Sequence, residues 1–192
     1  MPETADIALA STDAHVVQIK QLQMENLRRL LPLEVQEREG FVTAEYSIDY
    51  LRNIHSKTPA VVALAQVNGV QQVVGYVLAA TKQDSLEHDL LKDLVGTVDG
   101  RCKFEKKKLK DLNYIVVGQL CVAKDFRGQR LASKMYEAFA QEYKSRGFEC
   151  AMTDVAADNE KSLKTHKKSG WVVVDSLDYS GVVFEVIVLP FN

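Results

Sequence analysis

Val117-Gly118-Gln119-Leu120-Cys121-Val122-Ala123-Lys124-Asp125-Phe126-Arg127-Gly128-Gln129-Arg130-Leu131-Ala132 joins a strand to a helix through a short loop, and the architecture follows from that junction. Tyr114–Val122 is a nearly unbroken β-prone apolar run, the pattern of a strand covered on both faces. From 130 to 146, Leu131, Met135, Ala138 and Phe139 share one face of an amphipathic helix, which Gly147 closes. A helix start of this kind is an anion site. Its first-turn N–H groups lack intrahelical partners and the macrodipole is positive there. Gly128 lets a ligand approach the backbone, and Arg127 and Arg130 add charge. The same Arg-Gly turn also serves as plain structure in many proteins, so the local chemistry leaves both readings open.

Beyond the junction, 150–155 reads as a strand and 162–169 as a short helix. A strand pair over 171–179 and 182–188 turns at Ser180-Gly181. Strand, crossover helix and strand require a parallel pair with a right-handed connection. Upstream, 60–67 and 70–80 are valine-rich and flank Asn68-Gly69, which suits a type I′ turn and so an antiparallel hairpin. The product is an α/β chain with a mixed sheet and helices packed on it. The N-terminal part reads as helical: Val16, Ile19, Leu22, Leu27, Leu30 and Leu31 recur at helical spacing until Pro32. A second helix over 47–55 carries Ile48, Leu51 and Ile54 on one face and ends before Thr58-Pro59. In the polar stretch 83–110, Leu86, Leu90, Leu91 and Leu94 suggest a short helix. Gly96 and Gly100 suggest turns, and Lys106-Lys107-Lys108 a solvated face.

A chain of 192 residues, 46% hydrophobic and 26% charged, has the size and apolar content of one domain with an N-terminal elaboration. A net charge of -2 argues against a broad nucleic-acid surface. Cys102, Cys121 and Cys150 show neither metal-ligand spacing nor a disulfide framework, so no metal is expected. The start, Met-Pro-Glu-Thr-Ala-Asp, lacks the basic and apolar regions of a signal peptide. No apolar run approaches the ~20 residues of a membrane span, and a cytoplasmic location is the expectation.

Phe126-Arg127-Gly128-Gln129-Arg130-Leu131-Ala132 resembles the coenzyme A pyrophosphate loop of the GNAT superfamily of N-acetyltransferases, whose pattern is Arg/Gln-x-x-Gly-x-Gly/Ala. Arg127 and Ala132 match its ends. Arg130 replaces the central glycine, a change expected to be harmless if that residue is already helical. The segment from Thr153 to Trp171 is similar to the family's strand, asparagine, helix and closing Gly-aromatic, with Asn159, Ser162, Gly170 and Trp171 matching. His166 takes the place of a common tyrosine. The two motifs stand in the family's order on the family's elements, and that consistency is the strength of the resemblance.

The resemblance implies one GNAT domain over 1–192, with a helical part over 1–58 and a core over 60–192. It also implies a mostly antiparallel sheet of about six to seven strands, a central parallel pair and helices on both faces. It further implies that acetyl-coenzyme A is cosubstrate and an amine of a small molecule or peptide the acceptor, with direct transfer in a ternary complex. Homodimers are common in the family. The expected coenzyme residues are Leu120, Cys121 and Val122 on the strand, Arg127, Gly128, Gln129, Arg130, Leu131, Ala132 and Ser133 at the loop, and Asn159 and Ser162.

Acetyl transfer needs a deprotonated amine, a donor for the thioester oxyanion and an exit for the thiolate. His166 is either the acid, in the tyrosine's place, or a packing residue. The strand carries no carboxylate. Asp154 on the next strand is therefore the candidate base, against a structural reading, with a water chain as the other route. Cys121 reads as a small hydrophobe before it reads as a nucleophile. A non-catalytic acyl-coenzyme A sensor on the same fold is the second functional reading.

Overall fold

The computed structural model of the protein describes residues 4–191, so Met1, Pro2 and Glu3 of the acidic start lie outside it, as does Asn192. The chain opens with β1 (Asp6–Leu9) and α1 (Asp13–Glu25), which starts where the Thr12 hydroxyl accepts the His15 N–H. The apolar periodicity that runs on to Leu31 does not keep the chain helical that far. Val42 N–H donates to Asn26 O and Arg28 N–H to Val42 O, so the backbone of these residues leaves the helix to bridge residue 42. Next come α2 (Leu33–Glu39) and α3 (Ile48–Lys57), the latter capped by Ser47. The expected hairpin is β2 (Val61–Val67) and β3 (Val70–Ala80), and Asn68 and Gly69 both have positive φ, 53° and 78°.

Residues 82–111 are more regular than their composition suggests. After α4 (Lys82–Ser85), α5 (Asp89–Arg101) runs through Gly96 and Gly100, which the sequence marks as turns. Burial of Leu91, Leu94, Val95 and Val98 outweighs the roughly 1 kcal/mol that each glycine costs a helix. The lysine run sits on an exposed two-residue hairpin, β4 (Lys103–Phe104) and β5 (Lys107–Lys108). Then follow β6 (Tyr114–Val122), α6 (Leu131–Ser145), β7 (Cys150–Ala156), α7 (Glu160–Lys168), β8 (Val172–Tyr179) and β9 (Val182–Pro190).

Among the described residues, seven strands form one sheet in the order β1-β2-β3-β6-β7-β9-β8, with β6–β7 as its parallel pair. β1 is absent from the sequence reading, because four residues are too few to show an alternation and pairing with β2 creates the strand. On one face α1, α3 and α5 bury Tyr46, Tyr76, Val116, Met152 and Val186. On the other, Met135, Tyr136, Phe139 and Tyr143 of α6 pack on Val61, Val77, Ile115, Ala151 and Ile187. Cover on both faces is why the central strands read as continuous apolar runs.

Two irregularities open the middle of the sheet. The β6–β7 ladder runs from Tyr114↔Cys150 to Val116↔Met152 and stops, although β6 stays paired with β3 to Val122 and β7 with β9 to Ala156. The Thr153 hydroxyl closes the end of the ladder on Val117 O at 2.7 Å. On the other edge of β6, Gln119 faces Leu78 and Val117 faces Ala79, so Gly118 is an extra bulged residue.

Candidate active site

Beyond Val116 the two strands diverge, and a cleft of about 1080 Å³ lies against the free end of β6. Leu120, Cys121 and Val122 line it from the strand, and Arg127, Gly128, Arg130, Leu131, Ala132 and Ser133 from the loop and α6. Asn159 and Ser162 line it from the start of α7. Gln129 is the one expected coenzyme residue that is not part of the wall.

The loop departs from expectation at two arginines. Arg130 is not helical: it is the N-cap of α6 in the left-handed region, with φ 61° and ψ 21°. Its place therefore does favour glycine, and a side chain there costs roughly 1–2 kcal/mol. No side chain caps α6, so its first-turn N–H groups have no such partner. Arg127 is spent internally. Its Nε donates to Val122 O at 3.0 Å, Nη1 to Glu39 Oε2 at 2.8 Å and Nη2 to Asn26 Oδ1 at 2.6 Å. Arg38 first, then Lys124 and Arg127, hold the Glu39 carboxyl below the usual range. Arg38 and Lys124 on the same wall share Glu39 with Arg127, and further positive charge facing the cleft comes from Arg130 and from Lys161, Lys164 and Lys168. The sequence reading missed those lysines, although their spacing of three and four puts them on one helix face. It also missed Asn26 and Glu39, for which it holds no signal.

A narrower passage of about 70 Å³ shares Leu120, Asn159 and Ser162 with the cleft and opens on the α5 side of the sheet, past Leu90, Leu91 and Phe184. Asp154 lies on it, with the strand parity of Met152 and Cys150, which face that side. Burial pushes its carboxyl up to about 7. The other expected catalytic residue is differently placed. His166 is buried, its Nδ1–H donates to Ser162 O at 2.8 Å, and its Nε2 accepts from the Tyr136 hydroxyl at 2.7 Å. Burial pulls its pKa down to about 4, so the ring is neutral at physiological pH. The Cys121 thiol is pushed up to about 12 by burial, the state of a small hydrophobe.

A buried network fixes the bulge. The Tyr46 hydroxyl donates to Gly118 O at 2.8 Å, and a Cβ on Gly118 would sit 3.3 Å from the Tyr46 hydroxyl oxygen. Gln119 Nε2 donates to Ala44 O, while its Oε1 accepts from Tyr76 and from Gln23. Segment 44–46 and α1 are thereby tied to the strand just where it leaves β7.

The sheet is thus split at its parallel pair, with an uncapped helix start at the mouth of the split. The chain belongs to the GNAT acetyltransferase family, whose model matches residues 23–171. The fold recurs in the NatC complex bound to Gag peptide and CoA, at 13% identity and TM-score 0.66 over 98% of this chain and 99% of that one. It recurs in Arabidopsis thaliana NAA60 in complex with acetyl-CoA, at 14% identity and TM-score 0.65 over 97% and 99%. An N-acetyltransferase from Staphylococcus aureus Mu50 matches at 16% identity and TM-score 0.63 over 98% and 99%. No curated protein sequence matches the chain. No helix among the described residues is long and apolar enough to cross a membrane.

Proposed function

We propose that the protein moves an acetyl group from acetyl-coenzyme A to a primary amine by direct attack in a ternary complex, with Asp154 as general base. The observation that carries this reading is the split between β6 and β7, which joins a cationic cleft to a passage holding a carboxylate without a side-chain partner among the described residues. The pyrophosphate sits at the N-terminus of α6, where free N–H groups and the helix dipole favour it, and Arg130, Lys161, Lys164 and Lys168 add charge around it. The pantetheine arm runs along the edge of β6 at Leu120, Cys121 and Val122, which β7 no longer covers. Backbone N–H groups there meet the thioester oxygen as it becomes an oxyanion.

The amine enters from the α5 side as an ammonium. One proton passes to Asp154, whose carboxyl near pH 7 is matched to that task. The amine nitrogen bonds to the carbonyl carbon, the C–S bond breaks, and the second proton leaves with the sulfur. A thiol of ordinary pKa, about 8.5, departs readily as thiolate and takes that second proton from the nitrogen, so the transfer needs no strong acid. His166 then serves by position: it holds Tyr136 and the start of α7 together from within the fold.

Thiol release from acetyl-coenzyme A, followed with a panel of alkylamines, amino acids and peptides, tests this reading. Release that depends on an added amine is the expected result. Saturable acetyl-coenzyme A binding with no amine-dependent release across the panel would reduce the protein to a binding module.

A further inference from the structure

The passage on the α5 side has an unusual chemical economy. Its walls are the apolar parts of Phe41, Tyr46, Leu90, Leu91 and Phe184. Among the described residues no lysine or arginine lines it, and its histidine, His166, is neutral. Nearly every polar side chain on it is already spent. The Tyr46 hydroxyl is on Gly118 O, the Thr153 hydroxyl on Val117 O, and Gln119 is filled by Ala44, Tyr76 and Gln23. Asn159 donates to Phe41 O and accepts from Ser162 N–H, and Ser162 and His166 face one another. What remains is the Asp154 carboxyl inside, the Ser162 hydroxyl proton where the passage meets the cleft, and the exposed Thr43 hydroxyl at the rim.

Such a wall can recognise little about an acceptor besides its amine and its apolar shape. An α-amino acid would bring its carboxylate beside Asp154 with no cation to meet it, and like charges at that range repel strongly. A peptide N-terminus would carry its first carbonyl past side-chain donors that are mostly engaged within the fold already. Size narrows the class further. An apolar cavity of about 150 Å³ holds a benzene ring whole, whereas this passage, at about 70 Å³, takes only the amine end of a chain whose remainder lies outside it.

We infer that the acceptor presents an unbranched aminoalkyl chain, threaded amine first through the passage between Leu90, Leu91 and Phe184 to Asp154. Such a chain occurs both in small alkylamines and in a lysine side chain. This rests on the acetyl-transfer reading above. Its specificity comes from apolar contact along the methylene groups and from one ion pair at the tip.

The test is the affinity, by calorimetry, of coenzyme A joined through an S-acetyl bridge to different amines, each compared with coenzyme A itself. Conjugates of n-butylamine and of the Nε of a lysyl peptide are expected to bind about tenfold tighter than coenzyme A or better. A lysyl gain without a butyl gain would identify the side chain as the source, and the converse a small amine; either supports the class. Conjugates of glycine and of a peptide α-amine are expected to stay within roughly threefold of coenzyme A. Equal or larger gains for the glycine or α-amine conjugates, or no gain for both aminoalkyl conjugates, would overturn the inference while leaving coenzyme binding intact. Failure of coenzyme A itself to bind would instead remove the underlying reading.

Discussion

Asp154 carries a burial cost that a backbone N–H offsets only in part. Its carboxyl titrates near 7 in the fold but near 3.8 in an unfolded chain. Between those two values the unfolded state binds fewer protons than the native one, so this residue's contribution to stability falls as pH rises through that window. Asp154→Asn removes the cost. Its Tm relative to the parent should be unchanged near pH 4 and clearly higher at pH 8, a gain of up to about 4 kcal/mol. The same variant should lose about 100-fold or more in kcat, together with the rise of kcat/KM centred near pH 7 that is expected of the parent. Unchanged turnover would remove Asp154 as the base. His166→Phe should do the opposite. It leaves a buried Tyr136 hydroxyl without its partner and lowers stability by about 1–3 kcal/mol, while kcat with bound coenzyme changes little. Asp154 stands out in the sequence as a carboxylate on an apolar strand, whereas His166 lies among the lysines of a polar helix. What separates them is burial and hydrogen bonding supplied by Tyr136, Leu90 and Phe184, residues far away in the chain.

The junction from β6 to α6 shows how much an element's sequence discloses. Strand, loop and helix are all legible, because apolar periodicity and turn chemistry are local. The jobs of the two arginines are not. Arg127 reads as a phosphate ligand, yet it clamps the loop to Asn26 and Glu39, residues brought to it by the turn after α1 and by α2. Arg130 reads as a harmless departure, yet it holds a left-handed backbone. The bulge at Gly118 and the early end of the β6–β7 ladder are equally invisible in the sequence, since register depends on the partner strand. The two arginines should therefore separate in mutation. Arg127→Ala is expected to lower Tm by several degrees and to weaken coenzyme A only in step with that loss. Arg130→Gly is expected to leave Tm nearly unchanged, since relieved backbone strain offsets the added freedom of the unfolded chain. It should nevertheless weaken coenzyme A by about tenfold, the share of one charge-assisted contact. Thermal melts and calorimetry on the two variants decide it, and a stable Arg127→Ala with selectively poor binding would reverse the assignment.

Across the whole molecule, charge and shape are distributed unevenly. A chain of net charge -2 gathers Arg130, Lys161, Lys164 and Lys168 around one cleft, and the sheet is covered by helices on both faces. The mixed sheet, the hairpin and the crossover helix could be read from periodicity and turns. β1, the full length of α5 and the passage beside it could not, because each is made by packing between distant segments. A cleft belonging to the folded state alone couples its ligand to the stability of the whole chain. The most direct test of the central claim is the melting temperature measured with increasing acetyl-coenzyme A, against equal concentrations of ATP. Acetyl-coenzyme A at about 100 times its Kd should add about 2.7 kcal/mol, a shift of several degrees, and ATP much less. A melting curve unmoved by millimolar acetyl-coenzyme A would contradict the claim that the split between β6 and β7 is a coenzyme site.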